Sequence, residues 1–160
     1  MSGILGWYMA GEPEGRGISP VRVWRRGRIV RQWNRRLLTA LTVLRSRMDK
    51  YYSPAADVVL EDLYPIPKQP LTWLSDSIDE VHLLLGRDKP VWAIVQAYNW
   101  GDEPLYSKKA RSRYPTLDEE WVLAYLAIVH RVRGIFFFQG RPRPEKLRAL
   151  VGSQKNYCRA

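Results

Sequence analysis

The first residue with a clear capacity for chemistry is Glu12, in the segment Gly11-Glu12-Pro13. An apolar run over residues 4–10 precedes it, and the turn-forming sequence Gly-Glu-Pro-Glu-Gly interrupts that run abruptly. This pattern predicts a buried strand that ends in a tight loop. A carboxylate at the carboxyl end of a strand is held by the strand and faces the space left by the loop. Glu12 is therefore a candidate acid or base, and the alternative is an ordinary acidic turn residue.

Further polar and aromatic side chains follow the other predicted strands. They are Glu61, Asp62, Tyr64, Gln96, Tyr98, Trp100, Phe138 and Gln139. The carboxyl ends of parallel strands meet at one edge of a sheet, so we expect these side chains around one rim together with Glu12. Glu61 and Asp62 are consecutive, and consecutive strand residues face opposite ways. At most one of the two can point into a shared site.

Five apolar segments are predicted to be strands, and helices alternate with them. The strands cover residues 4–10, 37–44, 57–64, 91–97 and 135–138. The helices cover residues 21–33, 71–85 and 117–132, and a short one is expected at 144–151. Alternation of helices with strands that are apolar on both faces indicates a parallel sheet covered by helices. We therefore predict an α/β fold.

Local signals mark the starts of two helices. Ser19 and Pro20 are typical of an N-cap and a first helical residue. Thr116 and Glu119 form a capping-box pattern at the head of the helix over 117–132. That helix is apolar around most of its circumference, so we expect it to be thoroughly buried.

The composition favours one folded domain. The chain has 160 residues, of which 46% are hydrophobic, which is enough for a core of its own. Cys158 is the only cysteine, and His82 and His130 lie far apart in helical segments. We therefore expect no intramolecular disulfide, no metal site and no cofactor. We find no signal-peptide pattern and no apolar run near the roughly 20 residues that span a bilayer, so we expect no membrane segment and assign a cytoplasmic location only by default.

The charge is strongly positive and unevenly distributed. The formal charge is +10, and ten arginines fall within residues 16–47. Arg22, Arg25, Arg26 and Arg28 are predicted to point outward from the first helix. A basic patch of this kind favours weak binding of polyanions, including nucleic acid. The alternative is a solvated basic face without a partner.

Four segments of the chain form a recognisable series. They are GWYMAGEPE (residues 6–14), ADVVLEDLYP (56–65), PVWAIVQAY (90–98) and RYPT (113–116), and the helix after the last of them is followed by RGIFFF (133–138). In order and spacing they resemble the later half of a glycoside-hydrolase-like (β/α)8 barrel. The resemblance covers residues 3–139 and implies a partial TIM-barrel-like sheet of about five βα units, equivalent to the fourth to eighth strands. Residues 140–160 would add a short helix and a polar tail.

The resemblance implies carbohydrate chemistry. In such barrels the acid/base Glu ends the fourth strand in an Asn-Glu-Pro or Asp-Glu-Pro setting, which Gly11-Glu12-Pro13 resembles. Gln96 stands near the position of the nucleophilic Glu, and a Gln can neither attack nor act as a base. Glu103, just beyond the penultimate strand, is the candidate for the second carboxylate. The implied catalytic residues are Glu12 and Glu103, and the implied substrate-binding residues are Glu61, Asp62, Tyr64, Gln96, Tyr98, Trp100 and Gln139.

Three functions are compatible with these observations. The first is a glycosidase-like activity on an oligosaccharide or polysaccharide, with Glu12 as the general acid. The second is a carbohydrate-binding or purely structural half-barrel, which the Gln at position 96 and the absent strands favour. The third is binding of nucleic acid or another polyanion through the basic patch.

The number of strands predicts an incomplete barrel. A complete barrel of this type has eight strands in typically about 250 residues, and five strands in 160 residues are too few to close. Both outer strands would then expose backbone groups and apolar side chains, which promotes pairing with another chain. We therefore expect a homo-oligomer, or outer elements rearranged to cap the sheet.

Overall fold

The computed structural model describes residues 3–102 and 112–138. Within these ranges the strands are β1 (Gly6–Gly11), β2 (Leu38–Thr42), β3 (Val58–Glu61), β4 (Val91–Gln96) and β5 (Gly134–Phe138). The helices are α1 (Pro20–Trp33), α2 (Asp49–Tyr52), α3 (Thr72–Leu85) and α4 (Leu117–Val129). Short 3-10 turns lie at Ser46–Met48, Ser53–Ala55 and Trp100–Asp102. Strands and helices alternate along the chain as the sequence predicts.

The five strands form one parallel sheet in the order β1-β2-β3-β4-β5. The sheet curls into a half-barrel of about five βα units, which confirms the predicted partial-barrel α/β fold. Because every strand runs the same way, all carboxyl ends lie on one edge. The residues that follow the strands are thereby gathered on that edge.

The core lies between the convex face of the sheet and the helices. Around β4, side chains from α3 and α4 pack on Ala93 and Val95, and they include Leu74, Ile78, Leu123 and Ala127. A second cluster lies under α1 and contains Val23, Leu41, Val43, Tyr52, Ala55 and Ala56. Along each strand, side chains that point into this core thus alternate with side chains that face the concave side of the sheet.

Helix α1 lies flush on the turn Ser53–Ala55. Gly27 faces the backbone of this turn, and a Cβ at Gly27 would stand 2.3 Å from the carbonyl oxygen of Ala55. Glycine in a helix interior usually costs about 1 kcal/mol relative to alanine. Here the missing side chain is what allows the close approach of helix and turn.

Helix α4 is less buried than predicted. Leu123 and Ala127 are buried, whereas Leu117, Trp121, Val122, Tyr125, Ile128 and Val129 are exposed. The expectation of thorough burial is wrong because, within the described residues, α4 packs on α3 and β4 along one narrow side. An apolar surface around the whole helix makes burial possible. Whether the helix is buried depends on the other elements that pack against it.

Some boundaries also differ from the prediction. The capping box of α4 is present, with Glu119 N–H donating to Thr116 Oγ1 at 3.2 Å, but the helix ends at Val129, three residues early. Strand β3 ends at Glu61 and does not continue to residue 64. The predicted helix at 144–151 and the tail lie outside the described residues.

The concave face of the half-barrel is open and apolar. A hollow of about 530 Å³ on this face is lined by side chains that include Leu38, Leu60, Trp92, Ile94 and Phe136. In the described part of the chain, β1 pairs only with β2 and β5 only with β4. Both edges of the sheet are therefore without a partner strand among the described residues. No helix in this part of the chain has the length and apolar character to cross a membrane.

Candidate functional site

An open cleft of about 630 Å³ lies at the carboxyl-end edge of the sheet, and we call it the rim cleft. The cleft brings together six of the residues that the sequence places around the rim: Glu12, Asp62, Tyr64, Tyr98, Trp100 and Phe138. They come from the ends of β1, β3 and β5 and from the segment after β4. The common direction of the strands is the reason that residues so far apart in sequence meet here.

Glu12 directly follows β1 and has a left-handed backbone conformation, with φ of 49°. For a residue with a side chain this conformation costs about 1 to 2 kcal/mol. Two backbone hydrogen bonds fix the turn: Glu12 N–H donates to Thr42 O at 3.0 Å, and Ile18 N–H donates to Pro13 O at 2.8 Å. Pro13 itself is buried. The position of Glu12 is therefore set by the fold, and strained backbone of this kind concentrates at functional sites.

Asp62 directly follows β3 and its side chain lines the rim cleft. Its Oδ1 atom is shielded from solvent and has no hydrogen-bond partner among the described residues. Burial, and then the negative charge of Glu12, raise the pKa of the Asp62 carboxyl to about 8. Asp62 therefore keeps its proton at neutral pH and faces the same space as Glu12.

Tyr8, Arg16 and Trp73 also line the cleft, and the sequence reasoning missed them. The Tyr8 hydroxyl lies 2.7 Å from Thr42 Oγ1, and burial raises the pKa of Tyr8, so this hydroxyl remains a hydrogen-bond donor. Strand alternation does not link Tyr8 to Glu12, because the register of β1 shifts between Tyr8 and Ala10 and Ala10 packs on the helix side. Arg16 lies in a loop and Trp73 lies in a helix. No periodic pattern in the sequence indicates that either side chain faces the rim cleft.

Aromatic rings form one wall of the cleft. The Tyr64 ring is stacked on that of Phe138 with centroids 5.6 Å apart, and it meets Tyr98 edge-on at 5.2 Å. The Trp100 ring lies 6.0 Å from Tyr64. Burial raises the pKa of Tyr64, which keeps its hydroxyl neutral. Mutual packing holds these rings in fixed positions beside the two carboxyl groups.

Gln96 does not face the cleft. Its side chain is fully buried, and its amide pairs with the backbone of Ile66: Ile66 N–H donates to Gln96 Oε1 at 2.9 Å, and Gln96 Nε2 donates to Ile66 O at 2.9 Å. A further hydrogen bond runs from Gln96 Nε2 to Tyr98 O at 3.2 Å. Gln96 therefore anchors the segment that follows β3.

Glu61 points away from Asp62, as strand alternation predicts. Ser77 Oγ on α3 donates to Glu61 Oε2 at 2.6 Å, and Asp49 is its other close titratable neighbour. Glu61 is thus on the helix side of the sheet and outside the rim cleft. The remaining two predicted site residues, Glu103 and Gln139, lie outside the described residues.

The predicted basic patch is at the surface. Arg22, Arg25, Arg26 and Arg28 are all exposed on α1, and Arg28 lines a second, smaller cleft.

As for metals, no group of three or more His, Cys, Asp or Glu side chains suited to an ion occurs in residues 3–102 and 112–138.

The fold and the site define an α/β half-barrel with an acidic, aromatic cleft at the carboxyl ends of its strands. Comparison of the chain with protein-family models, with curated proteins and with solved structures found no match. A function must therefore be inferred from the chemistry of the cleft.

Proposed function

We propose that the rim cleft is a carbohydrate-active site of the glycoside-hydrolase type, in which Asp62 and Glu12 act on a glycosidic bond. The observation that carries this proposal is the meeting of these two carboxyl groups in one cleft walled by aromatic rings. Glycoside hydrolysis needs two carboxyl groups, one protonated and one ionised, on either side of the bond.

The environment of each carboxyl suggests its role. Asp62 keeps its proton at neutral pH because burial and the charge of Glu12 raise its pKa to about 8. It is suited to protonate the leaving oxygen of the glycosidic bond. Glu12 then supplies the second carboxylate, which either attacks the anomeric carbon or activates a water. The sequence led us to expect Glu12 as the acid, and the raised pKa of Asp62 favours the opposite assignment.

The walls of the cleft suit a sugar. Tyr64, Trp100 and Phe138 offer flat apolar surfaces, whereas Tyr8 and Arg16 offer hydrogen-bond donors at the same opening. A ligand that combines apolar ring faces with hydroxyl groups matches both. The volume of about 630 Å³ is within the usual range for small-molecule sites, about 300 to 1,000 Å³.

A panel of chromogenic aryl glycosides tests the proposal. Asp62→Asn and Glu12→Gln should each lower kcat/KM by about 100-fold or more on any glycoside that the wild-type protein cleaves. Asp88→Asn is the matched control, because Asp88 is an exposed carboxylate outside the rim cleft and its loss should leave the rate unchanged. Circular dichroism melts should show that all three variants fold.

A second measurement separates the non-catalytic alternative. Isothermal titration with oligosaccharides reports binding whether or not cleavage occurs. Binding that Trp100→Ala weakens, without cleavage by the wild-type protein, would contradict the enzyme and support a carbohydrate-binding half-barrel. Activity that survives in both carboxyl variants would remove Asp62 and Glu12 from the mechanism.

A further inference from the structure

A second polar cleft lies at the opposite edge of the sheet, beside helix α1. It has a volume of about 410 Å³ and is lined by Arg28, Arg31, Gln32, Arg35, Leu37 and Asp57. Leu37 and Asp57 directly precede β2 and β3, so this arginine cleft is at the amino ends of the strands. The function proposed for the rim cleft, at the carboxyl ends, involves none of the residues of the arginine cleft.

The arginine cleft carries excess positive charge. Its one carboxylate, Asp57, already accepts hydrogen bonds from Thr39 N–H and Thr39 Oγ1, both at 2.8 Å, and pairs with Arg31 at 3.4 Å. Among the described residues, no carboxylate lies within ion-pairing distance of Arg28 or Arg35. These two guanidinium groups are available to an anionic ligand.

The surface of α1 presents two stripes with the same helical spacing. One stripe consists of Trp24, Arg28 and Arg31, and the other of Arg22, Arg26, Ile29 and Trp33. Both begin with intervals of four and three, and a further interval of four leads to Trp33, so each stripe follows one side of the helix. Arg35 lies just beyond the end of α1 and reaches the arginine cleft from there. The buried Val23 and Gly27 separate the two stripes on the inner side.

Each stripe contains one tryptophan, and the two tryptophans differ in their contacts. The Arg28 guanidinium lies over the Trp24 ring, 5.0 Å from its centroid. Trp33 is 85% exposed, and no ring or cation in the described part of the chain stacks on it. A large apolar ring that is exposed and unstacked among the described residues offers a stacking face.

The residue types in this region match one kind of polyanion. Residues 16–48 contain ten arginines and no lysine, aspartate or glutamate. The planar guanidinium fork binds phosphate oxygens in pairs, which a lysine cannot do. An exposed indole stacks on a base of any identity. A sulfated glycan is the rival ligand, because its sulfates would pair with the same arginines, and heparin is therefore one arm of the test below.

We propose that helix α1 binds single-stranded nucleic acid, with backbone phosphates in the arginine cleft and an unpaired base on Trp33. The predicted patch of Arg22, Arg25, Arg26 and Arg28 is thereby extended to Arg31 and Arg35, which line the same cleft as Arg28. This function is independent of the rim cleft.

Fluorescence anisotropy with a labelled oligouridylate tests the proposal on the full chain. Affinity should fall with salt, and the double variant Arg28→Gln/Arg35→Gln should reduce the slope of log K against log salt by about 1.4, since each phosphate contact on a single strand contributes about 0.7. Trp33→Ala should weaken binding roughly tenfold at every salt concentration, which is the effect of one stacked base. The control Lys68→Gln/Arg87→Gln removes the same charge from exposed positions outside α1 and should leave the slope unchanged.

Two control ligands test whether binding requires the bases of a nucleic acid. Heparin and vesicles that contain phosphatidylserine provide charge without bases. Binding to either that is as tight as to the oligonucleotide, or an unchanged affinity in Trp33→Ala, would contradict nucleic-acid binding and leave a non-specific basic surface. Because Trp33 is exposed, its variant should keep the wild-type melting temperature, and this measurement separates lost stacking from lost folding.

Discussion

The carboxyl groups of Asp49 and Glu61 are neighbours in the core, on the helix side of the sheet. The two residues are 0% and 1% exposed, and neither oxygen of Asp49 has a hydrogen-bond donor among the described residues. Two ionised carboxylates offer acceptors only, so the pair can form a hydrogen bond only when one of them is protonated. Burial raises the pKa of Asp49 to about 8, and burial together with the charge of Asp49 raises the pKa of Glu61.

We predict that this pair makes the protein less stable as the pH rises. In the unfolded chain a carboxyl loses its proton near pH 4, whereas Asp49 in the folded chain keeps its proton up to a pH of about 8. Between these values the folded state binds more protons than the unfolded state, so the free energy of unfolding falls with increasing pH. Thermal unfolding followed by circular dichroism across this range measures the slope.

The variant Asp49→Asn isolates the contribution of the pair. It removes one titrating group and supplies an amide donor for Glu61, so it should flatten the pH dependence. It should also raise the melting temperature at alkaline pH by a few degrees, the shift that about 1 kcal/mol produces in a domain of this size. The exposed Asp88→Asn should keep the wild-type slope. A wild-type stability that increases between these pH values would contradict the shared proton.

The raised pKa of Asp62 leads to a separate prediction about catalysis. If Asp62 is the general acid, the active form carries its proton, and kcat/KM should fall tenfold for each pH unit above a pH of about 8. A pH profile on the best aryl glycoside measures this alkaline limb. The same limb in the residual activity of Asp62→Asn would assign the titration to another group.

Gln96 is predicted to act in folding and not in catalysis. Gln96→Ala leaves the N–H and the carbonyl of Ile66 without their partner, and each unsatisfied buried group costs about 1 to 3 kcal/mol. Urea unfolding should therefore show a loss of roughly 3 kcal/mol. Gln96→Glu should also destabilise the protein, because it places an acceptor against the Ile66 carbonyl. A gain of glycosidase activity in Gln96→Glu would show instead that this position reaches the substrate.

The fold follows from the sequence to a large extent. Apolar runs alternate with amphipathic segments, and a parallel sheet is the arrangement that buries both. Strand alternation also predicts that Glu61 and Asp62 separate, because adjacent residues on a strand cannot share a face. Glu12 and Asp62 meet because the topology, which is readable from the order of elements, places both strand ends on one edge.

The remaining features depend on partners that are distant in sequence. Gln96 interacts with a backbone segment 30 residues away, and no local pattern indicates that its amide turns toward this segment and away from the rim. The burial of Asp49 depends on how α2 packs against its neighbours. The exposure of α4 depends on the surfaces available around it, which its own composition does not reveal.

The open concave face predicts self-association. Its apolar side chains can be covered by a second copy, and so can the edges of β1 and β5, which have no partner strand in the described part of the chain. Phe136→Glu places a charge on this face and should shift the chain toward monomer in light scattering at micromolar concentration. Leu83→Glu is the control, because Leu83 is an exposed apolar residue on α3, away from the concave face. A compact wild-type monomer with a cooperative melt would contradict the prediction.

The close approach of Gly27 to Ala55 determines how α1 can meet a ligand. Since the helix already lies flush on the turn, it is pre-organised, and no segment has to fold when the ligand arrives. Coupled folding typically absorbs about 2 to 5 kcal/mol of the interaction energy and produces a large heat-capacity change. Rigid docking of the proposed nucleic acid on α1 would avoid both, and electrostatic steering would then set the association rate. A single methyl group at position 27 would press on the Ala55 carbonyl and displace the helix or the turn from this arrangement.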